Sequence, residues 1–158
     1  MKTLSRVLIV ALMSVPAFAA DTPGFALWKA SELQQRIAAL SKNVAADHSS
    51  RETLADYGDH RFRLLYRDAD GNPEQHDHII DIVMVQSGEG TLVLGGKMLG
   101  QRAGSGDGEY VGTSIEGGER RGLGPGDVLQ IPERVPHAFL VPRGKTFAYV
   151  LLKIPAAR

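Results

Sequence analysis

The chain has no cysteine, so a disulfide framework, a thiolate metal site and a lipid-modified N-terminal cysteine are all closed to it. It has no excess of charge of either sign: 18 Lys+Arg stand against 18 Asp+Glu. That leaves no polybasic face for nucleic acid or for an anionic membrane. Its first apolar run, Val7–Met13, is far shorter than the ~20 residues that cross a bilayer, so no membrane span is expected. What 158 residues do allow is one domain with a substantial core, stabilised by packing and by any metal it binds.

What is present begins with a leader-like segment. Lys2 and Arg6 precede the apolar run, and Ala17-Phe18-Ala19 has the small-residue pattern of a cleavage site, so residues 1–19 read as a secretory signal. The mature chain would begin at Ala20 and work in a periplasm or outside a cell. Without Lys2 and Arg6 it carries 16 basic against 18 acidic residues.

Ser31 and Gln34 fit a capping box, and Leu33, Ile37, Leu40 and Val44 recur at helical spacing. This predicts a helix from Ser31, laid against the rest of the domain or a neighbouring subunit, within an N-terminal arm of residues 20–57. His48 and the following SSRETLADYGD read as an exposed loop. His60 reads as an edge histidine before a strand at Arg61–Arg67, and DADGNP (Asp68–Pro73) is dense in turn formers. Gln75–Gly96 reads as a hairpin turning at Ser87-Gly88-Glu89-Gly90. The glycine-rich stretch beyond it predicts a loop tip at Gly104–Gly108, taken as a surface excursion rather than a lid, and a short strand at Glu109–Ile115. Strands at Val128–Ile131 and Thr146–Ile154 complete a body spanning residues 58–158. Short strands separated by Gly/Pro turns, with one helix, predict an all-β fold, a small antiparallel sandwich or barrel.

The chemistry-bearing residues cluster in two segments. His76 and His78 stand two apart at the start of an apolar strand, the spacing that points both imidazoles to one face and suits a divalent transition ion. Asp81 has the opposite parity and reaches that face only through a bulge or twist. His137 follows Pro132 and Pro136, which pre-set the backbone for a third ligand.

The two segments resemble the motifs of the cupin superfamily. Gly71, His76, His78, Asp81 and Gly88 take the places of the first motif, with aspartate for the usual glutamate and shorter gaps. Gly126, Pro132, Arg134, His137 and Val141 take those of the second, with Arg134 for glycine and Val141 for asparagine. The resemblance implies an antiparallel double-stranded β-helix, the jelly-roll or cupin barrel, preceded here by the N-terminal helix, and a homodimer. It implies His76, His78, Asp81 and His137 as ligands of a divalent transition metal, Fe, Mn, Ni or Zn. It further implies a metal-dependent enzyme, of oxygenase, decarboxylase or isomerase type, acting on a small oxygen-bearing molecule. The alternatives are a non-catalytic cupin that binds a small ligand or the metal itself, and a metal-free interaction scaffold. Glu116, Glu119, Tyr66 and Tyr110 are general-base candidates by chemistry alone, with no spacing that singles one out.

Overall fold

The computed structural model describes residues 22–157, so the expected leader lies outside the described residues. One helix, α1 (Ala30–Leu40), precedes β1 (Ser49–Asp56), β2 (Arg61–Arg67), β3 (Glu74–His76), β4 (Ile79–Gly88) and β5 (Gly90–Leu94). There follow β6 (Lys97–Leu99), β7 (Arg102–Ala103), β8 (Glu109–Val111), β9 (Ser114–Glu116), β10 (Glu119–Leu123), β11 (Val128–Ile131), β12 (His137–Leu140) and β13 (Phe147–Pro155). Five strands in the order β1-β2-β13-β4-β11 form one antiparallel sheet, and six in the order β10-β5-β12-β3-β8-β7 form a second; β6 and β9 pair as a ribbon. Neither sheet closes on itself. They face each other as a jelly roll, with Leu65, Val83, Val85 and Tyr149 of the first packing against Leu92 and Phe139 of the second.

The period of two in the sequence decides what faces what. In β2, RFRLLYR, the residues Phe62, Leu64 and Tyr66 turn outward. With Ala148 and Val150 of β13 they pack against Leu33 and Ile37 of α1. Leu64 is fully buried there, a burial worth about 1.5–3 kcal/mol. The other parity of β2, Arg61, Arg63, Leu65 and Arg67, lines the space between the sheets, as do Tyr149, Leu151 and Lys153 of β13. The interior gathers Lys153 and Asp81 at the Arg61 end of the strands, while at the other end Arg67 lies buried against the Tyr149 hydroxyl among apolar side chains.

Four local expectations need correction. Lys29, not Ser31, is the N-cap of α1, and it makes no side-chain cap bond, so the capping box does not form. The segment read as a loop after His48 is β1, paired along its length with β2. As an edge strand it carries polar residues on both faces, with Arg51 on the cavity and Glu52 bonded to Arg36 of α1, which hides its alternation. The sheet therefore begins at Ser49, ahead of the boundary at residue 58. Glu109–Ile115 is two strands, split at Gly112-Thr113.

The fourth concerns the hairpin. β4 and β5 lie in different sheets, with Glu89 alone between them. Gly88 makes the crossing at φ 76°, where an added Cβ would fall 1.9 Å from the Thr146 carbonyl oxygen, so no side chain fits. β4 finds its partners in β13 and β11 instead.

Candidate metal centre

The site lies at the Arg61 end of the interior, where both sheets deliver side chains to one place. In the second sheet β12 and β3 pair His137 with Glu74, and β3 and β8 pair His76 with Glu109. In the first sheet β13 pairs Lys153 with both Arg61 of β2 and Asp81 of β4. Directly opposed residues share a face, so these registers assemble the site.

His76, Asp81 and His137 are all buried. One carboxylate oxygen of Asp81, Oδ2, lies 3.3 Å from His76 Nε2 and 3.6 Å from His137 Nε2. Glu74, His76 and His137 offer ligand atoms within 4.8 Å of one another, and Glu74 Oε2 is 3.8 Å from His76 Nε2. His137 Nδ1 lies 3.0 Å from the Val135 carbonyl, to which it donates, leaving the Nε2 lone pair free to face the cluster. His76 Nδ1 approaches Glu109 Oε2 to 3.2 Å without the alignment of a hydrogen bond, and Asp81 Oδ1 is buried without a hydrogen-bond partner. Two imidazole nitrogens and two carboxylates, one of them with an unsatisfied buried oxygen, fit a divalent cation.

An ammonium already stands near that point. Lys153 Nζ is 3.0 Å from His76 Nε2, 3.6 Å from Asp81 Oδ1 and 3.7 Å from Glu109 Oε1. Burial works against charge on His76, but the neighbouring Asp81 and Glu109 carboxylates outweigh it and raise the imidazole to about 9. Burial likewise works against the Asp81 anion, and here His137, His76 and Lys153 prevail, holding the carboxyl well below its usual range. A charged ammonium and a charged imidazole cannot share the 3.0 Å contact. Only one of the two can carry its charge in this geometry.

Of the four ligands expected from sequence, the structure brings three together and leaves His78 apart. β3 ends at His76, and residues 77 and 78 form a bend, so the alternation that would align the two histidines is interrupted. His78 is exposed beside Gly108. The same bend resets the parity of β4, turning Asp81 inward with Val83 and Val85. Glu74, Glu109 and Lys153 were not anticipated. Tyr66, Tyr110, Glu116 and Glu119 do not line the cavity.

No protein-family model and no curated protein matches the sequence. Among solved structures the chain is similar to KdgF from Halomonas sp., at 21% identity over 73% of this chain and 86% of that one, with a TM-score of 0.52. It is similar also to the DMSP lyases RdDddP and RnDddQII, at 16% identity over 73% of this chain and 53% of that one, with a TM-score of 0.51. A cupin 2 conserved barrel domain protein from Rhodopseudomonas palustris aligns at 23% identity over 70% of this chain and 62% of that one, with a TM-score of 0.48. KdgF and the DMSP lyases are cupin structures. The chain has the cupin fold.

Of the two positions that depart from the second motif, Arg134 is explained by its backbone. Arg134 has φ 63°, the left-handed conformation that glycine takes most easily, and its backbone N–H donates to the His76 carbonyl at 2.6 Å. The sandwich holds a cavity of about 590 Å³, lined by Gly104–Gly106 of the glycine-rich loop together with Glu74, Asp81 and His137. That loop, read from sequence as a surface excursion, borders the site.

Proposed function

We propose that the protein is a secreted or periplasmic metal-binding cupin that acts as an enzyme on a small, oxygen-bearing, anionic molecule, in a reaction of oxygenase, decarboxylase or isomerase type. The observation that carries this reading is the convergence of His76, His137, Glu74 and Asp81 at a cavity of ligand size. His76, His137, Asp81 and Glu74 would hold the ion. Bound there, a divalent Fe, Mn, Ni or Zn ion supplies Lewis-acid polarisation of a substrate oxygen.

The chain's own groups do the rest. The Val135 carbonyl fixes the His137 tautomer, and Glu109 stands behind His76. Asp81 and Glu74 offset the ion's charge. Lys153 reaches the same point from the opposite sheet, placing an N–H donor where a substrate oxygen gains negative charge. Export rests on Lys2, Arg6, the apolar run and Ala17-Phe18-Ala19. The same reading includes a homodimer, for which exposed Phe25, Leu27 and Val128 offer apolar surface.

A second reading, a cupin that binds its ligand without turnover, is favoured by one observation: Lys153 already supplies a positive charge among the ligand atoms. The deciding experiment is the elemental metal content, by mass spectrometry, of untagged protein purified without chelators, beside His76→Ala and His137→Ala. Near-stoichiometric metal that both variants lose is the expected result. Absence of metal after incubation with Fe(II), Mn(II), Ni(II) and Zn(II) would overturn the metal-dependent reading and leave the binding protein.

A further inference from the structure

Five arginines border the cavity, and their partners divide them. Arg67 is buried and bonds the Tyr149 hydroxyl at 3.3 Å. Arg61 pairs with Asp56, and Arg51 with Asp47. Arg63 and Arg102 have neither a hydrogen bond nor an ion pair with another side chain among the described residues, and Arg63 Nε is buried without a partner. Burial lowers the Arg63 guanidinium from its ordinary value, and Arg51 and Arg61 lower it further. A half-buried guanidinium crowded by like charges with an idle donor is costly unless an anion meets it.

The two idle arginines come from opposite sheets. Arg63 lies on β2, in register with Leu151 of β13 and so two residues from the row that holds Lys153. Arg102 lies on β7, in register with Val111, which is in register with Glu74. Val111 and Leu151, each in register with one of the two arginines, add apolar wall to the same cavity.

We propose that Arg63 and Arg102 form a subsite for the carboxylate of a small organic acid, whose oxygen-bearing skeleton runs along Val111 and Leu151 toward His76 and His137. The planar fork of a guanidinium matches a carboxylate in a bidentate pair. A carboxylate suits the site better than a phosphate, because its two coplanar oxygens match a guanidinium fork while its carbon skeleton can lie against Val111 and Leu151. The inference rests on the proposed function in one respect: the far end of the acid is the end that meets the metal centre.

Calorimetric titration with malonate, succinate and inorganic phosphate tests it, on chelator-treated and Zn(II)-incubated protein. The proteins are the wild type, Arg63→Gln, Arg102→Gln and Arg121→Gln, the last removing an exposed arginine that pairs with Glu119 away from the cavity. A dicarboxylate that binds the wild type and binds either cavity variant at least tenfold more weakly, with Arg121→Gln unchanged, is the expected result. Should Arg63→Gln not fold, Arg102→Gln alone decides. Equal affinity across the folded proteins, or no binding of either dicarboxylate, overturns the subsite, and preference for phosphate overturns its carboxylate assignment. Metal content measured on the same samples separates the two readings. Arginine-dependent binding by protein that takes up no metal upholds the subsite and overturns the metal centre, and metal uptake without arginine-dependent binding does the reverse.

Discussion

Lys153 Nζ lies 3.0 Å from His76 Nε2, so an ammonium group stands among the atoms that would ligate a metal. At about 4 Å a unit positive charge opposes an incoming ion by about 4 kcal/mol per ionic charge at an effective dielectric constant near 20, an amount that falls with any turn of Lys153 away from the ligand atoms. Lys153→Met keeps the length of the side chain and removes the charge. It is expected to raise Zn(II) affinity at least tenfold, measured by competition with a chromogenic chelator. Unchanged affinity would mean that Lys153 leaves the cluster without opposition when an ion enters.

The two histidines of the His-x-His pair are expected to behave differently. His76 is buried in the cluster and His78 is exposed beside Gly108. His78→Ala should retain full metal content, and His76→Ala should lose it. A chelator should lower the melting temperature of the metal-loaded wild type and of His78→Ala alike, because metal bound only to the native state adds to its stability. Metal loss in His78→Ala would restore that residue to the ligand set.

Acid and alkali should destabilise the metal-free protein through different residues. Asp81 has its pKa lowered by folding, so its contribution is complete above the ordinary carboxylate range and is lost as pH falls below about 4. His76 is raised to about 9, so its contribution is complete below its unfolded value of about 6.5 and is lost as pH rises through 9. Melting temperature against pH should therefore peak between about 4 and 6.5. Asp81→Asn should flatten the acid limb and His76→Gln the alkaline limb; an unaltered profile in either would dissociate the limb from the residue.

Arg134 and Gly88 both have positive φ, with opposite expectations for substitution. Arg134→Gly relieves a left-handed conformation and should stabilise by about 0.5–1 kcal/mol, the strain relieved less the added entropy of an unfolded glycine. Gly88→Ala drives a methyl group into the Thr146 carbonyl oxygen and should cost more than ~2 kcal/mol. Urea denaturation checks both, and a destabilised Arg134→Gly would show that the arginine side chain makes a contact outweighing its backbone strain.

The sequence was most legible where one strand spoke for itself. RFRLLYR matches β2 at both ends, and its outward Phe62, Leu64 and Tyr66 could be read by alternation alone. His137 was legible because Pro132 and Pro136 restrict the backbone just before it. β1 was not, since an edge strand flanked by a cavity and a helix carries polar residues on both faces. His78 was misplaced because the alternation argument assumes a continuous strand, and β3 stops two residues short. Glu74 and Glu109 depend on pairing between strands distant in sequence, which local pattern does not encode. Lys153 had a visible signal: in TFAYVLLKI it shares parity with Phe147, Tyr149 and Leu151, so a charge stood on the inward face.

The place of β13 governs how the fold is reached. It lies between β2 and β4, pairing with β2 from Phe147 to Lys153 and with β4 from Phe147 to Pro155 across one bulge at Ala148/Tyr149. Until those residues leave the ribosome the first sheet is two separate fragments, β1-β2 and β4-β11, with the inward faces of both exposed. Its assembly thus waits for contacts 59 to 92 residues apart in sequence, and such contacts make for slow folding.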